Sequence, residues 1–497
     1  MNSILLVDGN PLMWRAIYSR DESYITEGVS KYVFKLLSEY ESSDILLFWD
    51  SGKSRIRSTY YPDYKIQRDE KKATIDLHEV GEQKKLVSQY LSHFGIRSIK
   101  TYGVEADDLI SWFSEYFSKV LNYDKVIIVS RDRDFFQLVN DNVVLLDYLS
   151  GDLYDKEKVE DDFGVSPDKV VDLKALVGDV SDNIKGVRGI GDKTAIKLLS
   201  KFGDAFSLLS EENFDEVNKS KTSQKVLRDS DSLKLSYQLV QLPTLAGASA
   251  FLNSKELYNL EKELEKEVKA DFMLAQLEGE ALQLNVSTSR CVSPLRDEVL
   301  GILPYLTKTS PQNPTSLAQL DSAILNCQRC ARRSCCQAVI LAEGFSNSPV
   351  MVVSDQPLAE KDRQKLLEFL SNVGLTLEEC WVTSVCKCSF SCNEPAKLEE
   401  IFACSEYLRA EISLLKPKFV ITFGSEAMSL FTPYGADVAN HCGEILNNPV
   451  STTLGEIGAY VGIMVHPSSV CSGVGEANFS FGEGKIKEFL DERKNSG

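Results

Sequence analysis

The residues best suited to chemistry are acids, placed where chain architecture would gather them. Glu105, Asp107 and Asp108 occupy three of four consecutive positions. They stand directly before an apolar run, Leu109, Ile110, Trp112, Phe113, Tyr116 and Phe117, whose spacing predicts a helix. Acids in a helix's first turn are ordinarily explained by its dipole, and for one helix start that account would suffice. It does not explain why other apolar runs also end in acids. Residues 4–7 lead into Asp8, residues 45–49 into Asp50, and residues 126–129 are followed by Asp132 and Asp134. Short β-rich runs with polar boundaries read as buried parallel strands. In open α/β sheets the ligand crevice lies beyond the carboxyl ends of the strands. Asp8, Asp50, Asp132 and Asp134 are therefore expected to converge beside Glu105, Asp107 and Asp108. So many carboxylates in a small volume require neutralising cations, and hard oxygen donors in that number call for Mg²⁺ or Mn²⁺, as two ions.

The elements that position these acids follow from the pattern. Residues 3–7 and 44–49 read as strands with a helix between them near 29–40, and residues 77–94 as a helix. Between lies a run, 53–72, holding Lys53, Arg55, Arg57, Lys65, Arg68, Lys71 and Lys72 with Tyr60, Tyr61 and Tyr64. Basic residues interleaved with aromatics suit a phosphate backbone and stacked bases; a solvated charged loop is the alternative. A second acidic cluster, Asp179 and Asp182, stands in the stretch 178–183. Behind it come Arg188, Gly189, Gly191, Lys193 and Thr194, where glycines allow a tight turn between two helices and exposed N–H groups can hold a phosphate. A dinucleotide fingerprint is excluded, because that motif follows the first strand of a βαβ unit.

Net charge is −18 and the hydrophobic fraction 43% in 497 residues, which fits about three globular domains or fewer. A global negative sum does not exclude a nucleic-acid partner, since a carboxylate site is a local sink of charge. No run reaches the length of a membrane span, so a soluble, cytoplasmic protein without a membrane partner is expected. All 12 cysteines fall at or beyond Cys291. In a reducing compartment that points to a metal or cluster site confined to the C-terminal part. Cys327 and Cys330 form a CxxC, followed by Cys388 and Cys404. Zinc is the usual occupant of a CxxC, but a CxxC with two widely spaced cysteines suits an iron–sulfur cluster better. Cys335, Cys336, Cys386 and Cys392 are possible substitutes, and Cys380 and Cys442 read as apolar fillers. Strand-like runs at 350–353, 381–385, 419–423 and 460–465 predict a second parallel sheet. A charged helix is expected over 257–277, and residues 284–318, rich in Ser, Thr and Pro, read as a linker of little structure.

Residues 1 to about 275 resemble bacteriophage flap endonucleases and the 5′-nuclease domain of bacterial DNA polymerase I. The likeness is carried by Leu6-Val7-Asp8-Gly9, Tyr64-Lys65 with Arg68, Val104-Glu105-Ala106-Asp107-Asp108, Asp132-Arg133-Asp134, the 178–184 loop and Gly189-Ile190-Gly191. It implies a PIN-like α/β nuclease over 1–283 with a helical arch and a helix-hairpin-helix at about 178–203. Asp8, Asp50, Glu105, Asp107 and Asp108 would hold or surround one ion. Asp132, Asp134, Asp179 and Asp182 would serve the second. Lys65 and Arg68 would meet the scissile phosphate, and the hairpin would grip duplex DNA, with K⁺. Residues about 320–492 are similar to family 4 uracil-DNA glycosylases, through the cysteine spacing, Val382-Thr383, Phe423-Gly424 and His466-Pro467-Ser468. That implies a parallel α/β domain over 319–497 with a [4Fe–4S] cluster on Cys327, Cys330, Cys388 and Cys404. Departures stand beside the likeness. The family's glycine-rich first motif reads Ser354-Asp355-Gln356-Pro357-Leu358, the base-stacking Phe segment is missing, and Ser384 replaces the uracil-reading Asn. Asp355 and His466 remain as candidate glycosylase residues. The expectation is a structure-specific 5′ nuclease acting on DNA flaps or ends, with RNA–DNA primers and replication proteins as further partners. Its glycosylase-like domain is expected to dock DNA and excise uracil weakly or not at all. A bifunctional enzyme and a non-catalytic replication scaffold are the alternatives.

Overall fold

The computed structural model describes residues 2–18, 25–40, 43–68, 77–210, 213–252, 254–266, 268, 295–306, 314–330, 332–389, 395–432, 436, 438–451, 453–468 and 476–495. The first sheet comprises β1 (Ser3–Asp8), β2 (Ser43–Phe48), β3 (Arg97–Ile99), β4 (Lys125–Val129), β5 (Val143–Leu146) and β6 (Leu153–Tyr154). Their order is β3-β2-β1-β4-β5-β6, parallel except for the edge strand β6. Alternate residues of these strands face two cores. Leu5, Val7, Ile45 and Leu47 pack with Val29, Val33 and Val87 of the helices Ile25–Glu39 and Leu77–Ser92. Ile4, Leu6, Leu46 and Phe48 pack with Leu109, Ile110 and Phe113 of the helix Ala106–Glu115. Burial on both faces is why these strands read as unbroken apolar runs rather than alternating ones. β1, β2 and β4 lie within a residue of the sequence expectation. β3, β5 and β6 were not expected.

Two helices, Val170–Val177 and Asp192–Phe202, flank the glycine turn, so the first of them lies before the expected start at 178. The helices Lys221–Arg228 and Ser230–Val240 follow. The expected charged helix runs as Ser254–Glu265; its proposed continuation beyond residue 268 lies outside the described residues. Its end is tied to the sheet, since Arg97 Nη1 donates to the carbonyls of Leu264 and Lys266 at 3.0 and 2.8 Å.

The linker reading needs correction. Residues 284–294 and 307–313 lie outside the described residues, but between them stand two short helices, Arg296–Leu300 and Leu303–Leu306. Leu295, Val299, Ile302 and Leu306 are buried in the core of the first domain. They stand four, three and four residues apart, and their shared burial outweighs the surrounding Ser and Pro. The helix Leu317–Leu325 also begins before the expected domain boundary at 319.

The second sheet comprises β7 (Glu343–Gly344), β8 (Val350–Ser354), β9 (Cys380–Ser384), β10 (Phe419–Phe423), β11 (Ile445–Asn447) and β12 (Tyr460–Met464). Its order is β11-β12-β10-β8-β9-β7, with four parallel central strands and antiparallel edges. Strand order reverses between β1 and β4 in the first sheet and between β8 and β10 in the second. A ligand crevice is expected at each reversal. The two halves share one core, in which Tyr60, Tyr61, Leu239 and Leu245 pack in the same cluster as Val385, Ala396, Phe402 and Ala427. Thr244 N and Oγ1 donate to the Glu399 carboxylate at 2.7 and 2.8 Å. Among the described residues no helix is long and apolar enough to cross a membrane.

Candidate functional site

The first crevice is lined by the acids that close its strands. Asp8 ends β1, where its carboxylate accepts from Asn10 N at 3.2 Å and Ser130 Oγ at 3.0 Å. Ser130 in turn accepts from Asp132 N at 3.1 Å, and Asp132 from Asp134 N at 2.9 Å, so the loop after β4 is pinned back toward β1. Asp50, just past β2, accepts from Ala106 N at 2.8 Å, at the start of the helix that carries Asp107. These acids lie near enough to perturb one another's ionisation. Burial, then Asp50 and Asp132, push the Asp8 carboxyl up to about 7. Asp107 is held well above the usual range by burial and by Asp132, Asp8 and Asp50, against the pull of Lys65.

Glu105 and Asp108 turn to a different partner. The buried Arg57 guanidinium lies 3.2 Å from Glu105 and 2.8 Å from Asp108. Glu105 also takes Lys65 Nζ at 2.6 Å and Tyr64 OH at 3.0 Å. Burial raises its carboxyl, but Lys65 and Arg57 more than offset this, and it lies below the usual range. Lys65 reaches Asp182 at 3.4 Å, and Arg68 reaches it at 2.5 Å while donating to Ser181 O at 3.2 Å. Lys174 bridges the remaining pair, Asp134 and Asp179, lying 3.1 Å from the latter. Among the described residues no three carboxyl, thiol or imidazole groups already close on one point as an ion's shell would. The donor set nevertheless fits hard divalent cations: Asp8, Asp50, Asp107 and Asp132 are all oxygen donors, and their mutual repulsion is what added positive charge relieves.

The basic run 53–72 is largely not a free surface. Tyr60, Tyr61 and Tyr64 belong to the core rather than offering faces to bases. Lys53 donates to Tyr64 O at 2.9 Å and Arg55 to Glu256 at 2.7 Å. Lys71, Lys72 and the crest of the expected arch, 69–76, lie outside the described residues. In the hairpin, Gly186 has φ 63°, and a Cβ there would meet Gly178 N at 2.4 Å, so the turn demands glycine. Arg188, Gly189, Gly191 and Lys193 are exposed at its tip, and Thr194 is half-buried with its N–H on Gly191 O at 2.9 Å.

In the second crevice, Asp355 Oδ1 accepts from Ala427 N at 2.8 Å. Gly424 has φ 104°, and a Cβ there would stand 2.1 Å from Asp355 Oδ2. Burial pushes the Asp355 carboxyl up to about 7, opposed by the Ala427 N–H and by Lys234 of the first domain. His466 accepts the Ser468 N–H at Nδ1 (3.2 Å), which leaves its proton on Nε2. Burial and the same Lys234 lower its pKa to about 3. Ser384 Oγ donates to Cys386 O at 2.8 Å and lines a separate cavity of about 120 Å³ with Ser354, Pro357 and Arg363.

The cysteines gather. Cys404 is lowered to about 7, first by a hydrogen bond from Cys386, then by the Lys387 N–H and the charges of Lys387 and Arg329, against burial. Burial, Cys404 and Cys336 raise Cys388 to about 12, and burial, Cys404 and Cys327 raise Cys330. Soft sulfur donors with cations at hand fit an iron–sulfur group. Cys392 and the side chain of Cys335 lie outside the described residues. The sequence reading missed Lys174 and Asn10, and read Arg57 as surface charge. Nothing in the local sequence marks them, because their partners are set by the fold.

Family comparisons agree with this division. Residues 3–164 match the 5′-3′ exonuclease N-terminal resolvase-like domain, and 165–263 match the 5′-3′ exonuclease C-terminal SAM fold. Residues 343–488 match the uracil DNA glycosylase superfamily. A 5′-3′ exonuclease of Aquifex aeolicus is 31% identical over 252 residues, spanning 49% of this chain and 83% of that one. One of Bacillus subtilis is 32% identical over 257 residues, spanning 48% and 83%. DNA polymerase I of Bacillus subtilis is 30% identical over 272 residues, 52% of this chain but 30% of the polymerase. Among solved structures the chain is similar to T5 5′-exonuclease with zinc bound, at TM-score 0.45 and 25% identity, covering 53% of this chain and 97% of that one.

Proposed function

The chain belongs to the 5′-3′ exonuclease family and is a phosphodiester hydrolase; from that premise we propose that it cleaves DNA at 5′ flaps or ends with two Mg²⁺ or Mn²⁺ ions. The observation that supports this is the meeting of Asp8, Asp50, Asp107 and Asp132 at the strand-order reversal of the first sheet. Asp8, Asp50 and Asp107, with Glu105 and Asp108 behind them, would hold one ion, and Asp132, Asp134, Asp179 and Asp182 the other. Such ions would lower the pKa of a bound water so that hydroxide is available as nucleophile, and would neutralise charge on the phosphate. The chain's own groups do the rest. Lys65, fixed by Glu105 and Asp182, places an ammonium at the rim, where charge develops on the scissile phosphate. Arg68, more exposed, binds and orients the phosphate from the same side. The exposed hairpin tip would grip duplex backbone, with K⁺ at its turn. RNA–DNA primers, replication proteins and a cytoplasmic setting belong to the same reading.

The C-terminal domain would bind a [4Fe–4S] cluster on Cys327, Cys330, Cys388 and Cys404, with Cys336 and Cys386 close by, as a structural group. It would dock DNA and excise uracil weakly or not at all. The engagement of the Ser384 hydroxyl with Cys386 O supports this, since no amide stands there to read a base edge. Asp107→Asn or Asp134→Asn should abolish cleavage of a labelled 5′-flap duplex while leaving the fold intact, and EDTA should do the same. Normal cleavage by either variant in Mg²⁺ would sink the two-ion reading.

A further inference from the structure

Gln238, in the helix Ser230–Val240, is a buried amide with every polar group engaged. Its Oε1 accepts from Tyr60 OH, and its Nε2 donates to Ala396 O at 2.8 Å and to Glu426 Oε1 at 3.0 Å. Tyr60, Gln238 and Glu426 are only 1%, 2% and 3% exposed. Tyr60 and Gln238 belong to the nuclease domain, Ala396 and Glu426 to the C-terminal domain.

Tyr60 ends the helix Arg55–Tyr60, which also carries Arg57. Arg57 is fastened to the same partner segment: its Nε donates to Leu239 O at 3.1 Å and its Nη2 to Gln241 O at 3.3 Å. Two rungs, Tyr60 to Gln238 and Arg57 to Leu239 and Gln241, therefore set the helix 55–60 against the segment 238–241. Beyond them, Arg57 holds Glu105 and Asp108 at the edge of the acidic crevice. Glu426 stands at the far end of this chain of contacts. Its second oxygen, Oε2, is buried with no hydrogen-bond partner among the described residues. A buried carboxyl left half-satisfied is a net cost to the C-terminal domain itself. What it does is accept, beside Ala396 O, one N–H of Gln238, and so help to fix which way that amide faces.

We propose that Glu426 is a positioning residue of the nuclease, acting across the domain boundary through Gln238 and Tyr60 on the helix that carries Arg57. The strand-end crevice of the second sheet then serves as a seat for the nuclease helix Ser230–Val240 rather than for an extrahelical base. The glycosylase-like domain thereby completes the support of the nuclease site.

The test uses the full chain, with single-turnover cleavage of a labelled 5′-flap duplex in Mg²⁺ and equilibrium affinity for the same duplex in Ca²⁺. Glu426→Ala should slow cleavage about tenfold and change affinity by no more than about twofold, the scale of one lost buried hydrogen bond. Glu426→Gln, which keeps an acceptor oxygen, should restore most of the rate. Gln238→Met should slow cleavage by a similar factor, and the Glu426→Ala/Gln238→Met double variant should be no slower than the slower single, because both break one connection. Parent-like cleavage by Glu426→Ala, equal losses in rate and affinity, or multiplying losses in the double variant would each overturn the proposal. Should Glu426→Ala not fold, Glu426→Asp withdraws the acceptor by one methylene, and a parent rate in that variant would overturn it equally.

Discussion

Arg57→Met tests how the acidic crevice is held together. Arg57 is 2% exposed, and its guanidinium meets Glu105 at 3.2 Å, Asp108 at 2.8 Å, Leu239 O at 3.1 Å and Gln241 O at 3.3 Å. Methionine keeps most of the stem's volume and removes the charge and all four contacts. The two carboxylates do not suffer equally. Glu105 retains Lys65 at 2.6 Å and Tyr64 at 3.0 Å, whereas Asp108 retains the Glu105 N–H at 3.3 Å. The loss therefore falls on Asp108, and removing one partner of a buried ion pair costs about 3–5 kcal/mol. Asp108 has an escape, which is to take up a proton. Burial already raises its carboxyl despite Arg57, and without Arg57 it rises further. A carboxyl raised in the folded state binds a proton there that the unfolded chain has released, so stability falls as pH climbs from the unfolded value through the folded one. The variant should accordingly lose about 3–5 kcal/mol at pH 8 and distinctly less at pH 5. Urea unfolding of the full chain, parent and variant, at both pH values measures this. A loss under about 1 kcal/mol at pH 8, or a loss that grows on acidification, would refute the reasoning.

Other outcomes follow from the same geometry. Lys65→Ala should lower the single-turnover cleavage rate by about a hundredfold or more while weakening flap affinity far less; equal losses would make Lys65 an ordinary phosphate contact. Anaerobically purified protein should contain iron and acid-labile sulfide, and Cys388→Ser or Cys404→Ser should lose both; stoichiometric zinc without sulfide would defeat the cluster assignment. A uracil-containing duplex should yield few abasic sites or none, and abundant excision that disappears in His466→Ala would establish a second active enzyme in the chain.

The parts legible in the sequence are those where burial leaves a periodic mark. β1, β2 and β4 are sandwiched between helices, so they read as apolar runs, and the acid after each run marks the strand's carboxyl end. Asp8, Asp50 and Asp132 are placed together by that mark, and Asp107 by its place at a helix start; Glu105 and Asp108, expected beside them, pair with Arg57 instead. Arg57 could not be placed so. In a run of seven basic residues it has the same local signature as Lys71 or Lys72, and its partners stand 48 and 51 positions away, at Glu105 and Asp108. The tyrosines beside it misled in the same way, since an aromatic among lysines fits a base-stacking surface and a core equally well. Only the fold decides, and it buries Tyr60, Tyr61 and Tyr64. The seam at 295–306 was hidden for a different reason: its four buried apolar residues are too few to stand out from Pro- and Ser-rich surroundings.

The two crevices pose one physical problem and meet it differently. Each sheet reverses strand order, and each places an aspartate at the reversal, Asp8 after β1 and Asp355 after β8. Burial pushes both carboxyls up to about 7. An acid so placed is either neutral or accompanied by positive charge. Around Asp8 the neighbours are further acids, Asp50 and Asp132, so protein groups add to the difficulty and a soluble cation is the remedy we propose. Around Asp355 the chain supplies positive charge as well as negative, because Lys234 of the nuclease helix lowers both Asp355 and His466 while Asp231 raises Asp355. The same helix presents Gln238 to Glu426. A pocket whose acid is already partly served by a neighbouring domain has less need of a ligand's charge. Lys234→Met should therefore raise the Asp355 and His466 pKa values together, seen for His466 as an upward shift in its NMR titration in the full chain. An unshifted His466 would mean that Lys234 does not supply the charge.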